Sequence, residues 1–221
     1  MLEPELMTEL EQAVAYAQAD FSEVNQAFVD RFRAAFPEVT GGAVLDLGCG
    51  PADIPIRFAQ ALPGLTVTAV DGSDTMVALG REAVKAAGMD ARVRLLCARL
   101  PGLNLKEQSF TAVVSNSLLH HLPQPGVFWQ EVRRLGRPGA AVLVMDLFRP
   151  DTPDRAREIV EQAAPNDPDV LKRDFFNSLC AAFTLEEVRD QLHTAGLQGL
   201  RCETVSERHW AAWGRLPKGA R

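Results

Sequence analysis

The chain has 221 residues, 47% of them hydrophobic, and a formal net charge of −6. That apolar share excludes a disordered chain, and the mild acidity without a Lys/Arg-rich block argues against a nucleic-acid backbone as partner. Cys49, Cys97, Cys180 and Cys202 form no Cys-x-x-Cys pair and no apolar run approaches a membrane span, so a soluble α/β chain in a reduced cytoplasm is expected.

Residues 3–36 carry apolar positions at helical spacing, Leu6, Leu10, Val14 and Ala17, then Phe21, Val24, Phe28, Phe32 and Phe36. Asp20 or Ser22 would cap a second helix and split the segment, and Pro37 ends it. The stretch has no basic region followed by an apolar one, so no secretory signal is expected.

Residues 43–47 are a short apolar run with Asp46 near its end, followed by Gly48-Cys49-Gly50 and a helical pattern over 52–62. A strand, a Gly turn and a helix N-terminus in that order build a small-molecule site, because glycines let the backbone turn tightly and approach a ligand closely. A dinucleotide fingerprint wants a third Gly where this chain has Asp53, whose carboxylate would repel a pyrophosphate. Residues 65–70 read as the second strand, ending in Asp71-Gly72-Ser73. An acid at that point, about 20 residues past the Gly turn, is placed to hold both hydroxyls of a ribose.

A helix over 74–87 faces Met76, Leu79 and Val84 inward and stops at Gly88. Residues 92–98 read as the third strand, and 99–109 as an irregular connection. Residues 110–115 form the fourth strand, running into Asn116 and, in a segment taken as extended, His120 and His121. Then come a helix over 127–135, a turn at 136–139 and a fifth strand over 140–146. Prolines punctuate 149–168 around a short helix. Asp174 opens another helix, Thr184-Leu185-Glu186-Glu187 is a capping box opening a helix over 185–195, and 200–205 and 209–216 read as two last strands.

The stretch Val44-Leu45-Asp46-Leu47-Gly48-Cys49-Gly50-Pro51 resembles motif I of class I S-adenosylmethionine-dependent methyltransferases, and Arg133 to Ala140 resembles that family's turn before the fifth strand. The resemblance covers roughly residues 42–148. It implies a doubly wound, mainly parallel seven-stranded sheet with a helical extension, one domain over 1–221. Within it, 1–37 would act as a lid or as a packing helix, and 149–183 as an insert over the acceptor. It also implies a site built from Asp46, Gly48, Cys49, Gly50, Asp53, Asp71, Gly72, Ser73, Met76, Ala98, Arg99, Ser115 and Asn116. Ala98 stands where the family usually has an acid on the adenine, which leaves that contact to backbone groups or to Arg99. Asn116-Ser117-Leu118-Leu119 departs from the tetrapeptide of nucleic-acid amino methylases and argues against a base amine as acceptor.

The implied reaction moves the sulfonium methyl of S-adenosyl-L-methionine to a small-molecule acceptor and leaves S-adenosyl-L-homocysteine. It needs approach geometry, exclusion of water and, for a protonated nucleophile, a base. Candidate catalytic groups are His120, His121, Asp146 and Arg149, the last either holding an acceptor carboxylate or pairing with Asp146. Asp174, Arg208, His209 and Trp210 are weaker candidates near the mouth. No metal motif is present, and a monomer or homodimer is expected. The rival reading is a cofactor-binding regulatory or scaffold protein without transfer.

Overall fold

The computed structural model describes residues 16, 17 and 20–218. The helical pattern over 3–15 lies outside the described residues. Strand β1 (Gly41–Leu47) leads through the Gly turn to α2 (Asp53–Ala61), after α1 (Ser22–Ala35). Then follow β2 (Gly64–Asp71), α3 (Asp74–Ala86), β3 (Val93–Cys97) and β4 (Phe110–Asn116). A 3₁₀ turn at Leu119–His121, α4 (Pro125–Leu135) and β5 (Gly136–Leu147) come next. The described chain ends in α5 (Pro153–Ala163), α6 (Asp169–Ala181), α7 (Leu185–Thr194), β6 (Arg201–Ser206) and β7 (His209–Arg215).

The seven strands lie in the order β3-β2-β1-β4-β5-β7-β6. β1 to β5 are mutually parallel, and β7 runs antiparallel to both β5 and β6. The order reverses at β1, which pairs with β2 on one side and β4 on the other, so a crevice opens at the carboxyl end of β1. The strand period of two sends Val44 to one face and Leu45 to the other. On the first face Val44, Ala112 and Leu143 pack with Phe28, Phe32 and Phe58 of α1 and α2. On the second, Leu45, Val113 and Val142 pack with Phe128, Trp129 and Leu192 of α4 and α7. A smaller cluster joins Ile159 and Val160 of α5 to Leu179 of α6 above Leu147.

The helix starts follow local chemistry. Ser73 caps α3 by accepting the Met76 amide, and Thr184 with Glu187 forms a reciprocal capping box on α7. Three expectations need correction. Residues 136–139 belong to β5: Gly139 takes a positive φ of 77° inside a register shift against β4, so the strand bulges instead of ending. Helix α6 begins at Asp169, directly after Pro168, rather than at Asp174. The segment after β4 is a 3₁₀ turn rather than extended chain, because the Asp146 carboxylate accepts the Leu119 amide at 2.6 Å and the His120 amide at 3.3 Å. No helix among the described residues is long and apolar enough to cross a membrane.

Candidate active site

Three adjoining spaces open at the carboxyl ends of β1, β2 and β4. The first, about 340 Å³, is lined by Gly50, Asp71, Gly72, Ser73, Met76 and Arg99, with Ala98 and Leu118 beside them. The second, about 220 Å³, adjoins it over the Gly turn and takes in Cys49, Asp53, Arg57 and Asn25. The third, about 330 Å³, lies under α5 and α6 and is lined by His120, His121, Leu147, Asp174, Phe175 and His209. Tyr16 and Asn116 face all three. A larger open groove of about 720 Å³ lies between α4 and α7, but none of its lining residues comes from a strand, and its Arg133 donates to the Ala195 carbonyl at 2.7 Å.

The Gly turn is braced from within. The Gly48 and Cys49 amides both donate to the Val70 carbonyl, at 2.8 and 3.0 Å. The Gly50 amide donates to Asp71 Oδ2 at 2.8 Å, and the Ser73 amide to Asp71 Oδ1 at 2.9 Å. Asp71 therefore ties β1 to β2 while its outer lone pairs face the first cavity. Burial pushes its carboxyl above the usual range, against the pull of the Ser73, Gly50 and Gly72 amides. Gly48 and Gly50 both take positive φ, 77° and 50°. A Cβ on Gly48 would sit 2.8 Å from Leu118 Cβ, whereas one on Gly50 would meet nothing within 4 Å.

Some expected residues lie beneath the cavities. Asp46 is 2% exposed and lines none of them. Burial and the neighbouring Asp71 charge push its carboxyl up to about 8, and its Oδ2 has no hydrogen-bond partner among the described residues. Ser115 is buried and donates to the Leu47 carbonyl at 2.7 Å, so its hydroxyl links β4 to β1 rather than facing the crevice. Asp53 accepts from Arg57 Nε at 2.7 Å and Asn25 Nδ2 at 2.9 Å, which fastens α1 to the start of α2.

His120, on the wall of the third cavity, belongs to a buried dyad. His120 Nδ1 lies 2.5 Å from Asp146 Oδ1, with the two side chains 3% and 1% exposed. The Leu147 amide also donates to Asp146 Oδ1, at 2.6 Å. Burial works against the Asp146 charge, yet His120, the Leu147 amide and His121 hold its carboxyl below the usual range. In the neutral imidazole whose Nδ1–H donates to the carboxylate, Nε2 is the nitrogen with a lone pair. The His121 ring stacks on His120 at 3.9 Å between centroids. On β7, beside Leu147, burial first and then the Arg208 charge bring His209 down to about 4, and its Nδ1 lies 2.9 Å from Ser206 Oγ.

Arg149 does not pair with Asp146. Its guanidinium lies 2.7 Å from Glu187 Oε1, donates to the Ala182 carbonyl, and lines none of the three spaces. Trp210 is fully buried in the core behind β5. Tyr16 was missed by the sequence reading. It falls off the apolar stripe of Leu10, Val14, Ala17 and Phe21, and that departure in an otherwise regular pattern was the one available signal. Its ring packs on Phe21 at 4.8 Å, and burial, with Asp71 nearby, pushes its phenol up to about 12. Among the described residues no group of three His, Cys, Asp or Glu side chains is placed to hold a metal ion.

A sheet whose order reverses at β1, a braced Gly turn and an acid at the end of β2 define a doubly wound α/β protein with a nucleoside-type crevice. A family described as "Methyltransferase domain" matches residues 44–139. A 27-O-demethylrifamycin SV methyltransferase of Amycolatopsis mediterranei is 26% identical over 195 residues, 88% of this chain and 68% of that one. A demethylmenaquinone methyltransferase of Bacillus cytotoxicus is 32% identical over 111 residues, 50% of this chain, and the match spans only 46% of that protein. The fold is also that of an S-adenosylmethionine-dependent methyltransferase from Aquifex aeolicus, with TM-score 0.64, 17% identity, and 92% and 97% of the two chains covered. The matched domain, the relatives and the fold are those of class I S-adenosylmethionine-dependent methyltransferases, which supports S-adenosylmethionine-dependent methyl transfer.

Proposed function

We propose that this chain methylates a small molecule whose accepting atom must first lose a proton, a hydroxyl or an acidic enol. The observation that carries this reading is the buried His120–Asp146 dyad beside a cavity that shares Tyr16, Asn116, Ser117 and His121 with the crevice at the Gly turn. A thioether or a tertiary amine would have no use for a base.

The crevice fits the cofactor on three counts. Its two lobes, about 340 and 220 Å³, fall together in the range of small-ligand sites. The space beyond Gly50 is clear for a close approach of ligand to backbone. Asn116 Oδ1 is buried without a partner among the described residues. In this reading Asp71 takes the ribose hydroxyls, Met76, Ala98 and Arg99 flank the adenine, and Gly48, Gly50 and Asn116 border the methionine portion. Asp46 and Ser115 act from beneath, by shaping the turn. When bound, the cofactor supplies an electrophilic methyl carried on a sulfonium.

The chain's own residues do the rest. His120 Nε2 takes the acceptor proton while Asp146 stabilises the imidazolium that results. His121 and Tyr16 wall the junction, and α5 and α6, within 149–183, cover the acceptor and keep water out. We place the reaction in the cytoplasm, in a monomer or homodimer, with no nucleic-acid or membrane partner. The four free cysteines and the absence of a basic block support that placement.

Release of S-adenosylhomocysteine over a panel of hydroxylated metabolites tests the proposal. Calorimetry with S-adenosylmethionine, S-adenosylhomocysteine and NAD is its companion. Binding of the first two without NAD, and turnover of at least one hydroxylated compound, is expected. Cofactor binding without turnover of any acceptor would favour the regulatory reading.

A further inference from the structure

The third cavity is walled by rings from two separate parts of the chain. Tyr16 and Phe21, ahead of α1, pack together with centroids 4.8 Å apart, and Phe175 of α6 lines the same space. Phe175 is held by the cluster of Ile159 and Leu179 and by Arg208, whose guanidinium lies 5.7 Å over its ring. Phe28, Phe32 and Phe58 are fully buried and fill the core, whereas Phe21 and Phe175 are half-buried. Half-buried rings that converge on one cavity offer a ligand surface rather than packing for the core. Leu147 and Leu171 extend the apolar part of the lining.

Size and acidity narrow the ligand further. About 330 Å³ lies at the lower end of small-ligand sites and suits one or two fused rings. A flat ring against aromatic side chains gains about two- to tenfold in affinity beyond the area it buries, a gain that a puckered ring of the same carbons forgoes. The base at this cavity is an imidazole. A free imidazole and a phenol differ in acidity by about 3–4 powers of ten, whereas an alkanol, close to water, stands about nine away. An imidazole therefore takes a phenol's proton far more readily than an alkanol's.

We infer that the acceptor is a phenol of one or two fused rings, lying against Tyr16, Phe21 and Phe175, and that Phe175 selects for the flat ring. The inference rests on the transfer reading above, since it takes the third cavity as the acceptor's seat and His120 as the base. In the step, the phenolic O–H gives its proton to the imidazole and the oxygen forms a bond to the methyl carbon. The bond from that carbon to sulfur breaks, and its electron pair returns to sulfur. S-adenosylhomocysteine and an aryl methyl ether remain. Phe175 sets which acceptor is seated and takes no part in the proton transfer.

The probes are 2-naphthol and decahydro-2-naphthol, which share a carbon framework and a hydroxyl and differ in flatness and acidity. Their binding to protein saturated with S-adenosylhomocysteine is measured by calorimetry, and methyl transfer to each from S-adenosylmethionine is assayed separately. The naphthol should bind about two- to tenfold tighter and be the one that is methylated. Phe175→Leu, which keeps an apolar side chain without a ring, should bring the two affinities toward equality. It should leave affinity for S-adenosylhomocysteine unchanged, because Phe175 lines neither lobe of the cofactor crevice. Phe175→Tyr keeps the ring and should retain the preference, which separates loss of the ring from loss of fold. Equal binding of the two probes, tighter binding of the saturated alcohol, binding of neither, or a preference untouched by Phe175→Leu would overturn the inference. Transfer to the saturated alcohol alone would also overturn it while keeping the transfer reading. Ring-selective binding that depends on Phe175 without any transfer would instead support the aromatic seat and sink the transfer reading.

Discussion

Asp71→Asn separates the two duties of one carboxylate. In the folded chain its oxygens accept the Gly50 and Ser73 amides at 2.8 and 2.9 Å. An amide side chain keeps one of these bonds and turns an NH₂ toward the other donor. Losing one hydrogen bond to a charged acceptor costs about 1.5–3 kcal/mol. Part of that is offset, because burial already makes the charge costly and pushes this carboxyl up. A net loss of about 1–2 kcal/mol should lower the melting temperature of a chain this long by roughly 2–8 °C. The sequence alone suggests an exposed strand-end acid whose replacement leaves the melting temperature still, and the two amide bonds correct that. The variant should also bind S-adenosylhomocysteine about ten- to a hundredfold more weakly, through loss of charge-assisted bonds to the ribose. Calorimetry and thermal unfolding without ligand, on one preparation, read both effects. Full affinity with a lowered melting temperature would mean that Asp71 only braces the loop, and the ribose assignment would fall.

Three further outcomes are expected. Gly48→Ala should lose stability through the contact with Leu118. Gly50→Ala has no such contact and should lose cofactor affinity out of proportion to its melting temperature, and equal behaviour of the two would contradict the cavity geometry. His120→Gln should cut initial rates about 10²–10⁴-fold and leave S-adenosylhomocysteine affinity intact; an unchanged rate would exclude His120 as base. Asp46 titrates near 8 when folded against an ordinary 3.8, so between those values the folded chain holds a proton that the unfolded chain has released. Stability should therefore decline as pH rises through that window and level off above it, and thermal melts of Asp46→Asn across the same range should show a flatter dependence.

The sequence by itself determined the alternation of strands and helices and the position of the Gly turn. It also placed an acid at the end of β2. These depend on local rules: apolar runs bounded by turn residues, positive φ at glycine, and capping residues at helix starts. Its resemblance to a family implied as well a doubly wound, mainly parallel seven-stranded sheet. Only the tertiary structure decided how the polar side chains are used. Asp146 and His120 are 26 residues apart and meet because β5 lies beside β4, whose exit turn Asp146 itself shapes through two amides. Arg149 and Glu187 pair across 38 residues, a choice that no local spacing encodes. Asp174, Arg208 and His209 are weak candidates near the mouth by sequence, and the fold gathers all three around one cavity, with Arg208 over the Phe175 ring of α6. Hydrophobic period and turn chemistry act over a few residues and survive in the sequence, whereas a site assembled from four elements exists only once the sheet has fixed their order.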